Sequence, residues 1–187
     1  LPWFRRTAAI ETERAAAAAY RAILAAARRP EFFSDLGVAD SLDGRFDLLC
    51  LHTFLVLRRL RRCGDAESAD FAQALFDAMF ADMDAALRQI GVSDLRVGRE
   101  VKTMVRAFLG RIDAYEAALA AGDETALSAA LVRNVYRGAA DELAAAALTR
   151  YMVAADAALA KLPDAGARVG RFSFPAPIQN EKSDVTQ

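Results

Sequence analysis

Apolar residues recur at three- and four-residue spacing along most of the chain, in stretches punctuated by glycines and by residues that cap helix starts. That pattern predicts about seven helical pieces. Thr7 caps a first long one reaching Arg29, and Pro30 opens a short one over residues 31–36, closed by Gly37. After a loop at 38–43, a helix over 44–62 ends at Gly64. Asp65 caps the next, which reaches Ile90 ahead of Gly91. A helix over 97–121 stops at Gly122, Asp123 caps one reaching Tyr136, and the last long helix covers 139–162 before Pro163. Beyond it, Phe172 and Phe174 alternate with polar residues ahead of Pro175 and Pro177, so the tail is expected to dock in extended form. Residues 180–187 are polar and expected to be mobile. The expected fold is all-α: a single compact bundle of about six to seven helices over residues 1–162, with 163–187 as an extended, partly mobile tail.

The faces of these helices carry more than their existence. The helix over 44–62 is apolar around nearly its whole circumference, with Phe46, Leu48, Leu49, Leu51, Phe54, Leu55, Val56, Leu57 and Leu60, which marks a central, surrounded helix. Its polar positions Arg45, His52 and Arg59 are spaced by seven and share one face. On the following helix Phe71, Leu75, Phe76, Met79, Phe80, Met83 and Leu87 fill one half of the wheel, while Asp70, Asp77 and Asp84 lie together on the other. The short turn Cys63-Gly64-Asp65 makes the two helices an antiparallel hairpin. In that register Arg59 stands level with Asp70, His52 with Asp77 and Arg45 with Asp84, so a polar seam between the helices is expected, fixing register more than adding stability. Asp82 falls between Phe71 and Leu75 in the apolar arc. A carboxylate buried there needs a partner, either an arginine of a neighbouring helix or a polar contact to a client.

The helix over 97–121 is amphipathic: Val101, Met104, Val105, Phe108, Ile112, Tyr115 and Leu119 share one face, and Arg99, Lys102 and Arg106 the opposite one. That basic stripe reads either as a solvated face or as a docking surface for phosphate, in ribosomal RNA or in lipid headgroups. Arg58, Arg59, Arg61 and Arg62 crowd the last turn of their helix. They complement the helix dipole there, or grip the acidic loops of a partner or anionic lipid. Phe76, Met79, Phe80 and Met83 read as ordinary core or as an adaptable apolar groove for a client.

Composition narrows the classes. Hydrophobic residues make up 55% of the 187, much of that alanine, and the net charge is −1, so no global field recruits nucleic acid or anionic lipid. The densest apolar run, residues 48–57, is interrupted by His52 and Thr53 and falls short of the about 20 residues of a membrane span. The opening Leu1-Pro2-Trp3-Phe4-Arg5-Arg6 has neither the apolar core nor the cleavage site of a secretory signal, though Trp3 and Phe4 beside Arg5 and Arg6 suit a membrane surface. One histidine and two cysteines cannot make an ordinary zinc site, and Cys50 and Cys63 sit roughly 20 Å apart at helical rise, too far to bridge. No phosphate-binding loop, dinucleotide fingerprint or nucleophile elbow is present. The expectation is a binding protein without a cofactor; the alternatives are a peripheral membrane or lipid-binding helical protein, using Trp3, Phe4, Arg5 and Arg6 with the basic stripe, and an enzyme, which would have to use His52 and Asp82 in a common cleft.

Several segments resemble, in order, the ubiquinol–cytochrome c chaperone family. They are Gly44-Arg-Phe-Asp-Leu-Leu-Cys-Leu-His-Thr-Phe-Leu-Val-Leu-Arg-Arg-Leu, then Ala72-Gln-Ala-Leu-Phe-Asp-Ala-Met-Phe-Ala-Asp-Met-Asp, then Gly91-Val-Ser-Asp-Leu-Arg-Val-Gly. Lys102 with Met104, Gly110-Arg111 and Arg133-Asn134-Val135-Tyr136 continue the likeness, which spans about residues 20–160. Leu109 stands where the family pattern often has an aromatic. The resemblance implies an all-helical, non-catalytic assembly factor for the bc1 complex with no catalytic residues to carry over. Its mitochondrial relatives bind newly made cytochrome b and work beside the ribosomal tunnel exit with a small partner protein. The alanine- and arginine-rich composition suggests a bacterial member, in the cytoplasm or peripheral at the inner face of the plasma membrane. The expected partners are therefore cytochrome b or another bc1 subunit, with a ribosome, the membrane surface and a small partner protein as further candidates.

Overall fold

The structure, a computed structural model, describes the backbone of residues 2–177 and side chains from residue 9. Eight helices follow one another among these residues: α1 (Pro2–Ala27), α2 (Glu31–Ser34), α3 (Leu42–Arg61), α4 (Ala66–Gln89), α5 (Asp94–Ala121), α6 (Glu124–Asn134), α7 (Glu142–Ala160) and α8 (Asp164–Arg168). No strand occurs among them, and the architecture is all-α as expected. The first helix begins at Pro2, upstream of Thr7. The side chains of Trp3, Phe4, Arg5, Arg6 and Thr7, and all of residues 180–187, lie outside the described residues.

Side-chain caps set the starts of three helices, α3, α4 and α6. Asp65 accepts from the backbone N–H of Ser68, and Asp123 from that of Ala126, each meeting an orphan donor of the first turn. Ser41 does the same for α3 through Gly44 N–H. Gly44 is required by space rather than by φ: a Cβ there would lie 2.0 Å from the carbonyl oxygen of Ala39.

α3 is the axis of the bundle. Every residue from Leu48 to Val56 is buried, because α1, α4, α5, α7 and α8 all pack against it. Each enclosed leucine or phenylalanine contributes about 1.5–3 kcal/mol from leaving water. The turn at Gly64 returns the chain along α3 as α4, which α1 and α5 flank.

Two sequence expectations are corrected here. The segment from residue 163 is not extended throughout, since Asp164–Arg168 forms α8, pinned by Arg168 donating to the Asp65 cap at 2.7 Å. Only after it does the chain run without regular structure, with Phe172 and Phe174 buried and Arg171 and Ser173 exposed. Gly170 (φ 71°) lets the tail cross α1, where a Cβ would lie 2.9 Å from that of Ala19. Arg29 then holds the carbonyls of Phe174 and Pro175. The most span-like segment is also not the run in α3. Among the described residues α7 is the helix long and apolar enough to cross a membrane, and half of it is buried inside the bundle. Alanine accounts for the difference, being apolar without bulk; Ala147, Ala155, Leu148, Tyr151 and Met152 pack inward.

Candidate functional site

The polar seam between α3 and α4 is not formed. Arg45 pairs with Asp40 at 2.7 Å, back in the loop before α3. His52 is fully enclosed and turned to α7. Its Nδ1–H donates to the Leu48 carbonyl at 2.7 Å, so Nε2 accepts from the Tyr151 hydroxyl, also at 2.7 Å. Phe32 and Phe174 present edges to its ring. Burial pulls the imidazole down to about 4, so it is neutral. Arg59 binds Asp164 and the Leu162 carbonyl beyond α7. On α4, Asp70 is exposed, Asp77 accepts from Gln73, and Asp84 pairs with Arg88 at 2.5 Å. The three polar side chains of α3 turn to the preceding loop, to α7 and to α8 rather than to α4.

Asp82 is exposed rather than buried, and its partner is a tyrosine, not an arginine: Tyr20 donates to it at 2.8 Å. His52, enclosed against α7, and Asp82, exposed on α4, therefore do not face a common cleft. Cys50 and Cys63 are both free thiols. No group of three histidine, cysteine or carboxylate side chains suited to a metal occurs among the described residues.

The arginine cluster divides. Arg58 and Arg59 are buried; Arg58 is clamped by Glu116 of α5 and by Asp156 of α7. Arg62 shares Asp156 at 3.0 Å, and Arg61, 62% exposed, approaches Glu116 at 3.7 Å. All four thus pair with carboxylates of neighbouring helices, two of them buried, while Arg61 and Arg62 stay accessible.

A buried acid escaped the sequence reading. Asp47 has no exposed surface, though it sits between Phe46 and Leu48 on the most apolar helix. Arg111 of α5 donates to its Oδ1 at 2.5 Å while stacking over Phe46, and Arg137, from the turn after α6, brings Nη2 to 2.9 Å from Oδ2. Desolvation still dominates and raises the carboxyl to about 6 against the pull of both arginines. Arg137 holds a left-handed backbone (φ 56°) in this arrangement. The signal for the site was an acid inside an apolar run together with an arginine on the core side of a later helix.

Among the described residues, two grooves stand out on the surface. The larger, of about 1020 Å³, runs between α6 and α7 and is lined by Thr125, Ser128, Arg133, Arg137, Thr149 and Arg150 among others. Its cations are partly committed, since Arg137 holds Asp47 and Arg150 has a partner of its own. The second, of about 640 Å³, lies over the α3–α4 turn between α4 and α5. Leu57 and Leu60 form its floor, Phe76 and Ile112 its walls, and Leu109, 48% exposed, its lip; Arg61, Asp65 and Gln73 rim it. It exists because α4 offers alanines 66, 69 and 72 at this end. Further along, Phe76, Phe80 and Phe108 pack with centroids 4.7–6.1 Å apart and close the gap. The quartet expected to be either core or groove is divided by the same geometry. Met79 and Phe80 are buried, Phe76 and Met83 are half-buried, and Phe76 alone of the four lines the groove. Arg99, Lys102 and Arg106 are exposed on the outer side of α5, opposite buried Val97, Phe108 and Tyr115.

Comparison with known proteins places this arrangement among relatives. Residues 34–174 match the family model described as ubiquinol–cytochrome C chaperone. The chain is 26% identical over 150 residues to the mitochondrial protein CBP3 of Saccharomyces cerevisiae, covering 78% of this chain and 44% of that one. It therefore spans less than half the length of that relative. The crystal structure of the Cbp3 homolog from Brucella abortus superposes with a TM-score of 0.82 at 34% identity, covering 94% of this chain and 96% of that one.

Proposed function

Since this chain belongs to the ubiquinol–cytochrome c chaperone family, we propose that it is a non-catalytic assembly chaperone for the ubiquinol–cytochrome c reductase (bc1) complex, holding newly made cytochrome b before its assembly. The observation that carries this reading is the groove between α4 and α5, with its floor of Leu57 and Leu60 and the half-exposed Leu109 at its lip. A membrane-spanning helix held outside the bilayer exposes about 20 apolar residues to water. An apolar trough between two helices takes such a segment as helix-in-groove recognition, with side chains at i, i+3 and i+4 as anchors. The polar rim of Arg61, Asp65 and Gln73 keeps the empty trough soluble and meets the ends of the segment.

The working place in this proposal is the cytoplasm or the inner face of a bacterial plasma membrane. A contact near the ribosomal tunnel exit and a small partner protein belong to the same proposal. Affinity capture of the tagged full chain from its native membranes and cytosol, while the complex is being made, tests all of them. Cytochrome b should accompany the parent protein and be lost with Leu109→Glu. Recovery of no bc1 subunit with the parent would end the reading.

A further inference from the structure

The outer face of α5 carries a pattern that the bundle itself does not use. Leu95, Arg99, Lys102, Arg106 and Leu109 follow one another at intervals of four, three, four and three residues, which at about 100° per residue keeps them within one narrow stripe. All five are exposed. Leu95 is 94% exposed, nearly as open as a leucine in an unfolded chain, and Ile90, which caps the C-terminus of α4 five residues earlier, is 66% exposed. Among the described residues no carboxylate pairs with Arg99, Lys102 or Arg106, whereas the neighbouring Arg88 and Arg96 are paired with Asp84 and Glu100. Three unneutralised cations thus stand in a row between leucines roughly 21 Å apart along the axis. The adjacent helix is their electrostatic opposite: α4 carries five carboxylates against a single arginine.

We propose that this stripe is a membrane-docking surface, on which α5 lies in the plane of an anionic phospholipid bilayer. Arg99, Lys102 and Arg106 meet lipid phosphates while Leu95, Ile90 and Leu109 enter the headgroup–acyl boundary. Interfacial helices bind in this way, by apolar burial together with attraction to anionic lipid. Nucleic acid would satisfy the three cations equally well but would leave the leucines in water, so the exposed apolar ends decide for lipid. The acidic α4 is repelled by the same surface, which fixes the face presented to it. Docking does not depend on the chaperone reading. If both hold, Leu109 at the groove's lip sets the mouth of the trough at the bilayer surface, where an apolar helix must finally be delivered.

Flotation of the purified full chain with vesicles tests the proposal. It should float with an equimolar mixture of phosphatidylcholine and phosphatidylglycerol and not with phosphatidylcholine alone. Each cation near an anionic leaflet contributes about fivefold in partitioning, so Arg99→Gln/Lys102→Gln/Arg106→Gln should weaken binding about 100-fold. Leu95→Ser/Leu109→Ser should float at low salt and fail at high salt, where apolar insertion alone must hold. These positions are exposed, so the thermal midpoint of each variant should match the parent and exclude misfolding as the cause. No flotation of the parent with anionic vesicles, or equal flotation of the triple variant, would overturn the proposal. Stripe-dependent binding to duplex RNA without flotation would overturn it as well and reassign the stripe. Capture of cytochrome b by the triple variant, read in parallel, keeps the two proposals separable.

Discussion

The Tyr151 hydroxyl donates to His52 Nε2 at 2.7 Å, joining α7 to α3 where neither ring has any exposed surface. Since Nδ1–H is committed to the Leu48 carbonyl, this hydroxyl is the partner Nε2 has. Tyr151→Phe keeps the ring and removes the donor. It should cost about 1–3 kcal/mol, the penalty for a buried acceptor left unsatisfied. Urea denaturation would show a lower midpoint at unchanged slope; an unaltered midpoint would mean that the bond adds nothing.

Stability should depend on pH through two buried groups of opposite sign. Burial holds His52 at about 4 against its ordinary 6.5. As pH falls from 6.5 to 4 the unfolded chain gains a proton that the folded one refuses, and about 3 kcal/mol of stability is lost. Asp47 is raised from 3.8 to about 6, so the folded state keeps a proton there that the unfolded state gives up, and stability rises as pH falls through that interval. The two slopes largely cancel in the parent. Asp47→Asn removes one, and its stability should therefore fall more steeply than the parent's between pH 6.5 and 4. Parallel curves for the two proteins would contradict this.

Met79 and Leu109 should respond differently to the same charge. Met79 has no exposed surface, so Met79→Glu places a carboxylate in the core and should cost several kcal/mol, about 3 or more. Leu109→Glu adds it at a half-exposed lip and should change stability by about 0.5 kcal/mol or less while abolishing binding of an apolar client segment. Thermal melts together with client capture separate the two effects.

Gly44→Ala should destabilise by about 1–3 kcal/mol, the usual cost of overpacking. The added methyl meets the Ala39 carbonyl, which is backbone and cannot swing aside. Alanine's better helix propensity offsets less than about 1 kcal/mol of that. A midpoint at or above that of the parent would show that the loop before α3 yields freely.

Much of the fold was legible because the signals are local. Asp65 and Asp123 cap the helices assigned to them, Gly122 ends α5 with φ 65°, and α3 is enclosed as its all-round apolar pattern required. The alternation of Phe172 and Phe174 reported a tail lying on the core. The site was less legible. Arg58 and Arg59 look like surface cations beside Arg61 and Arg62, because inward and outward positions in one helical turn carry the same residue type. Asp47 was overlooked because its two arginines lie 64 and 90 positions away in sequence, beyond any local period.

By itself the sequence determined most helix boundaries and which residues could share a face, since caps, glycines and the 3.6-residue period act within a few positions; the starts of α1, α5 and α7 and the whole of α8 escaped it. Only the tertiary structure decided which neighbour each face meets. His52 and Asp77 lie on stripes that a hairpin register would align, yet α7 claims the histidine through Tyr151, because α3 has five helices around it and its rotation is settled by packing them all. The groove has the same origin: small alanines on α4 and a leucine on α5 become a trough only when the two helices lie side by side.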